Sequence, residues 1–179
     1  MKKLTLITVI IVMTLFSSSM QSQKFSSLDK SPMDVASYPS IHDDPNTQIK
    51  VIYSRPQLKG RALSELITNG KVWRTGANEA TVIVLYKDMM MGEKSVKAGT
   101  YSLATIPGEK EWIIILNSDV NVWGSYSYKE ENDVARLTVP VSNGEEVVEA
   151  LSIILEESDK GVNMIIGWDT LRISTSFTN

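Results

Sequence analysis

The residues best equipped for recognition chemistry stand in one stretch, Lys71-Val72-Trp73-Arg74-Thr75-Gly76-Ala77-Asn78-Glu79-Ala80-Thr81. Arg74 carries a planar fork of donors, Asn78 an amide that both donates and accepts, Glu79 a carboxylate, and Trp73 a broad face that can stack on a ring. Such a set can hold a small polar ligand. The same residues also suit a structural role in which Arg74 pairs with Glu79, Trp73 fills the end of the core and Gly76 permits a turn. A second group, Arg55, Lys59 and Arg61, gathers three cations after the first strand of the main run. It can hold an anionic ligand or cap the carbonyls of a solvated turn. A third, Trp123-Gly124-Ser125-Tyr126-Ser127-Tyr128, sets three aromatics within six residues, an arrangement that suits a sugar surface and core or edge packing about equally.

Catalytic residue types are scarce. There is no cysteine, which excludes thiol nucleophiles, disulfides, cysteine zinc sites and a lipidated cysteine together. His42 is the single histidine, beside Asp43 and Asp44, and no G-x-S-x-G elbow accompanies it. Asn117, Asp119 and Asn121 alternate as in a calcium loop, but Val122 stands where that loop needs glycine and Tyr128 where it needs an acid, so a polar turn is expected. A hydrolase reading would use Glu79 or Asp133 as general base. No glycine-rich phosphate loop is present, and no cofactor or metal is expected.

The chain of 179 residues begins with Lys2 and Lys3, an apolar run from Leu4 to Phe16, then Ser17 to Gln23. That is the form of a secretion signal, assigned to residues 1–22, with the protein expected in the periplasm or outside the cell. Its apolar run is too short for a stable membrane crossing. Eighteen Lys and Arg stand against 21 Asp and Glu, and removal of the two signal lysines shifts the formal charge from -3 to about -5. Nucleic acid and anionic membrane surfaces are therefore poor partners. A small polar ligand, a glycan or an envelope protein remains.

The elements that must position these groups read as strands. From residue 23 to 47 the chain is polar and broken by Pro32, Pro39 and Pro45, which predicts an extended or irregular lead-in. Beyond it, period-two or solid apolar runs predict about eight strands: 48–54, 81–86, 100–106, 111–117, 133–139, 150–156, 162–168 and 171–177. The ten glycines all fall from Gly60 onward and mostly separate these runs. Pro107-Gly108 predicts a tight turn, Trp168-Asp169-Thr170-Leu171 a second reversal, and only 61–67 has helical propensity. Solid runs such as Ile113 to Leu116 are apolar on both faces, so two layers are implied. The expected fold is one all-β domain over 48–179, an antiparallel β-sandwich of jelly-roll type, with a closed β-barrel as the alternative.

Several motifs together closely resemble the DUF2911 family: Tyr53-Ser54-Arg55-Pro56 with Lys59-Gly60-Arg61, the Val72 to Thr81 stretch, Ala98-Gly99-Thr100-Tyr101-Ser102-Leu103, Thr105-Ile106-Pro107-Gly108, Trp112 and Trp123-Gly124. The resemblance runs from about Ser31 to Phe177. It implies an exported bacterial domain of unknown function, common in Bacteroidetes, and so compartment and kinship without a reaction. The residues taken forward as a ligand-binding set are Arg55, Arg61, Trp73, Arg74, Asn78 and Glu79. The expectation is a non-enzymatic module that binds through the loops at 55–61 and 73–79. A hydrolase and a purely structural envelope protein stand as the alternatives.

Overall fold

The computed structural model describes residues 23–40, 42 and 44–179; the signal assigned to 1–22 lies outside them. Ten strands form among the described residues: β1 (Met33–Tyr38), β2 (Ile49–Ser54), β3 (Thr81–Leu85), β4 (Met89–Met91), β5 (Lys94–Val96), β6 (Gly99–Ile106), β7 (Glu111–Asn117), β8 (Asp133–Pro140), β9 (Ser142–Ser158) and β10 (Gly161–Thr178). They make two antiparallel sheets, one of six strands in the order β1-β2-β3-β6-β7-β8 and one of four in the order β5-β4-β10-β9. The expected sandwich forms and no barrel closes. Between the sheets, alternating inward residues such as Ile49, Val51, Ile83, Ile114, Met164 and Phe177 are fully or almost fully buried, the period-two pattern of strands with one face on a core.

Three details depart from the sequence reading. The lead-in contains a regular strand, β1, which pairs with β2 from Met33 opposite Ser54 to Tyr38 opposite Ile49. An edge strand tolerates the bracketing Pro32 and Pro39 because only one of its sides must supply a hydrogen-bond ladder. The reversal expected at Trp168 to Leu171 is absent. β10 continues through it as an irregularity with register shifts on both sides of Asp169 (φ 53°), the extra residues lying on β9, where Gly167, Asp169 and Leu171 face Ser152, Val148 and Asn143. Arg172 holds the exposed carbonyls there, donating to Asp169 O (3.0 Å), Leu171 O (2.9 Å) and Glu146 O (2.7 Å). Finally, Met89–Val96 supplies the short β4–β5 hairpin, while the expected helical piece is one 3₁₀ turn at Leu63–Glu65. The Pro107-Gly108 turn joins β6 to β7, which pair antiparallel as expected.

The two sheets are laced together along one side by the segment that follows β2. Gln57 bridges to Ala150 of β9, Leu58 N donates to Glu149 O (2.9 Å) and Leu151 N to Pro56 O (2.9 Å). The Tyr53 hydroxyl accepts from Ile153 N at 2.9 Å, a second tie across the core. Elsewhere β9 carries exposed Glu145, Glu146, Glu156 and Glu157, charges that discourage a foreign strand from pairing with an edge.

Candidate functional site

Register settles which face of the larger sheet carries polar chemistry. Along β6, Leu103 points into the core, so Ser102 and Ala104 face outward; their partners on β7 are Asn117 and Ile115. Ile115 is completely buried and Ala104 nearly so, although neither belongs to the core between the sheets. Two connecting segments cover that outer face: the strap 72–80 before β3, and the 118–132 connection from β7 to β8. They join as a short antiparallel ribbon. Ala80 N donates to Val122 O (2.9 Å), Gly124 N to Asn78 O (3.0 Å) and the Ser125 hydroxyl to Val72 O (3.1 Å), with Glu79 bridged to Trp123.

The strap is held in an unusual path. Thr75 and Asn78 lie in the left-handed region, at φ 54° and 61°, which is uncommon for any side chain and least expected of a β-branched one. Side-chain bonds fix it there: the Thr81 hydroxyl donates to Thr75 O (2.9 Å), and the buried Thr75 and Thr105 hydroxyls share a bond of 3.1 Å. Gly76 crosses the end of β2, where a Cβ would stand 3.1 Å from Ser54 O and 3.0 Å from Thr81 Oγ1. A side chain there would press on both, and they would have to give by a few tenths of an ångström.

Trp73 is turned into the core. Its backbone exchanges two bonds with Thr105 (2.7 and 2.9 Å), and its ring is buried, stacked on Trp168 with centroids 5.7 Å apart and edge-on to Trp112 at 6.1 Å. The three rings plug one end of the core. Arg74, next along, lines a narrow cleft between strap and connection. Ser102, Ala104 and Asn117 form its floor; Val72 and Ala80 stand on one side, Asp119, Ser127 and Tyr128 on the other. The cleft is small, about 20 Å³, enough for about one water-sized group.

Electrostatically this cleft is unsettled. Arg74 Nε is buried and has no hydrogen-bond partner, an arrangement that native structures rarely leave without a reason. The ion pairs among the described residues are Arg55–Asp34, Lys97–Asp88, Arg136–Glu130 and Arg136–Asp133, so Arg74 pairs neither with Glu79 nor with Asp119. Asp119 is steadied by Asn132 Nδ2 on its Oδ2 (2.8 Å) and by its own N–H on Asn117 Oδ1 (2.9 Å). Behind the wall, the largely buried Asp133 accepts from the Tyr128 hydroxyl (2.7 Å) and Asn117 Nδ2 (2.8 Å) and forms an ion pair with Arg136 Nε (3.1 Å). Desolvation, then the bond to Asp133, holds the Tyr128 hydroxyl well above the ordinary tyrosine range.

The six residues proposed from sequence do not converge. Arg55 and Arg61 belong to the lacing segment: each Arg55 nitrogen donates, to Leu151 O, Asp34 Oδ2 and the Ser152 hydroxyl, and Arg61 caps Leu58 O and Gln57 O. Asn78 and Glu79 lie on the far side of the ribbon, in an open depression with Asp29, Met33 and the exposed Trp123. Only Arg74 enters the cleft. Its companions Ser102, Asn117, Asp119 and Tyr128 were outside the proposed set, though the small outward residues of β6 and the doubly apolar run Ile113 to Leu116 already signalled that something covers this face.

Fold and cleft together define a class: an antiparallel two-sheet sandwich with a polar cleft on the outer face of its larger sheet. Within that class the chain belongs to the DUF2911 family, described as a protein of unknown function, whose model matches residues 31–177 and so includes both cleft walls. No curated protein and no solved structure matches the chain.

Proposed function

We propose that this protein is an exported, non-enzymatic binding module whose cleft takes a small polar ligand through an anionic group placed on Arg74. The observation that carries the reading is the buried, partnerless Nε of Arg74. A carboxylate suits a guanidinium because it accepts two parallel bonds from it. The lysine-led apolar N-terminus supports export. Against a hydrolase, Asp133 is already engaged by two hydrogen bonds and an ion pair within the wall, and Glu79 lies on the open side of the ribbon, away from the cleft.

Acetate and succinate titrated into the purified protein, followed by amide chemical shifts, test this. The expected result is saturable shifts in 72–81 and 117–128 that vanish in Arg74→Gln. Equal response of the variant, or none in the parent, removes the reading.

A second reading, a glycan stacked against Trp123, is favoured by that ring's 61% exposure beside Asn78 and Glu79. Loss of glycan-array binding in Trp123→Ala with retention in Arg74→Gln would favour it.

A further inference from the structure

The ribbon that walls the Arg74 cleft has a second face. Ala80 and Val122 line the cleft, so their chain neighbours Glu79 and Trp123 project from the opposite side. These two stand directly opposite one another, bridged antiparallel and flanked by the bonds from Ala80 N to Val122 O and from Gly124 N to Asn78 O. They are therefore a pair without mutual hydrogen bonds, with Cα atoms about 4.5 Å apart and side chains close together on one face. Both line an open depression of about 240 Å³. Its floor is the end of β2, where Ser54 faces outward because Tyr53 faces the core. Ser54 is only 5% exposed, and its hydroxyl, bonded to no described residue, opens into the depression. Met33, opposite Ser54 on β1, supplies an apolar flank, and Asp29 a second carboxylate.

The charge in this depression has one sign. Neither Asp29 nor Glu79 forms an ion pair among the described residues, and no Lys, Arg or His lines the depression. The exposed Trp123 adds the negative face of its ring. Two carboxylates, a hydroxyl and an indole face attract positive charge and repel an anion. The volume lies below the roughly 300–1,000 Å³ of pockets for drug-sized molecules, so the occupant is small. We infer that the depression binds a small organic ammonium, its alkyl groups against Trp123 and Met33 and its charge beside Glu79. The site is separate from the Arg74 cleft and does not rest on the anion role proposed there; it gives the face of Trp123 to a cation instead of a glycan.

Choline is titrated into the unaltered protein beside 3,3-dimethylbutan-1-ol, its uncharged isostere, and methyl β-glucoside, with the Trp123 indole N–H and the amides of 78–80 and 123 as the chemical-shift readout. Choline should bind at least ~10-fold more tightly than the alcohol. The same shifts should persist in Arg74→Gln, which alters the other face of the ribbon. Glu79→Gln, at an exposed position, should weaken choline binding about 3- to 5-fold and leave the alcohol unchanged. If the alcohol binds as well as choline, charge plays no part and the ammonium assignment falls. If the glucoside shifts Trp123 and choline does not, the depression belongs to a glycan and the assignment falls in its favour. No response to any of the three removes both uses of Trp123 and leaves the Arg74 cleft untouched.

Discussion

Arg55 and Arg74 look alike in the sequence, each in a polar segment at the end of an apolar one, and the fold uses them in opposite ways. Every nitrogen of Arg55 has a partner, one on β1 and two on adjacent residues of β9, so its charge serves to tie the lacing segment to both strands. Arg74 stands on a strap that is fixed around it by Trp73, Thr75 and Thr81, yet its own Nε is left empty. The scaffold thus saturates its neighbours and not the arginine. An arginine whose donors are all used is explained by folding; one held rigidly and left without partners is explained by something that arrives later.

The largest expected effect comes from the residue beside Arg74. Trp73→Ala removes the ring between Trp168 and Trp112 and should lower stability by about 3–5 kcal/mol, read as a lower urea midpoint at unchanged slope. A loss under about 1 kcal/mol would mean that the tryptophan cluster does not anchor the strap. The comparison of the two arginines would then lose its footing, because Arg74 would no longer sit on a fixed frame.

Next comes Arg55→Ala, which leaves Leu151 O and Ser152 without their donor and should cost about 1–3 kcal/mol. Asp34→Ala breaks only the partly exposed ion pair, whose side chains are 33% and 43% exposed, and should cost less, about 0.5 kcal/mol. Equal losses would place the value of Arg55 in its charge rather than in the lacing of the sheets.

A smaller effect, of about 1 kcal/mol, is expected for Tyr128→Phe, since Asp133 keeps Asn117 and Arg136. Its pH dependence sharpens the description of the cleft wall. The folded Tyr128 pKa is raised, so the neutral hydroxyl is favoured in the folded state and the associated stability is intact below the unfolded value. The gap between parent and variant should be constant from about pH 7 to pH 9 and close as pH rises past about 10. A gap that widens there would contradict the Tyr128–Asp133 bond.

Much of this architecture was legible because alternation is a local property. β2, β3, β6, β7 and β8 announce themselves through valine and isoleucine spacing, and Pro107-Gly108 through turn chemistry. β1 was hidden by prolines that matter only to a strand paired on both sides. The continuity of β10 was hidden because Asp169 can adopt positive φ within an irregularity as readily as in a turn. The site was less legible still. Arg74 could be picked out by type, but Asp119 looked like part of a polar turn, and nothing local tells that the 118–132 connection folds back across β6 and β7. Ile115 is buried although it stands outside the core between the sheets, and what covers that outer face depends on contacts far apart in sequence.

The smallest effect on stability is expected at Arg74 itself, and it decides between the two uses of an arginine. If the strap needed Arg74 for folding, removal would cost as much as at Arg55. With Nε unpartnered and no ion pair formed, Arg74→Gln gives up no ion pair and relieves a buried donor, so the melting temperature of the ligand-free protein should hold steady or rise slightly, within about 0.5 kcal/mol of the parent. The same substitution should abolish carboxylate binding. A stability loss comparable to that of Arg55→Ala would make the two arginines equivalent after all and return the strap to a purely structural role.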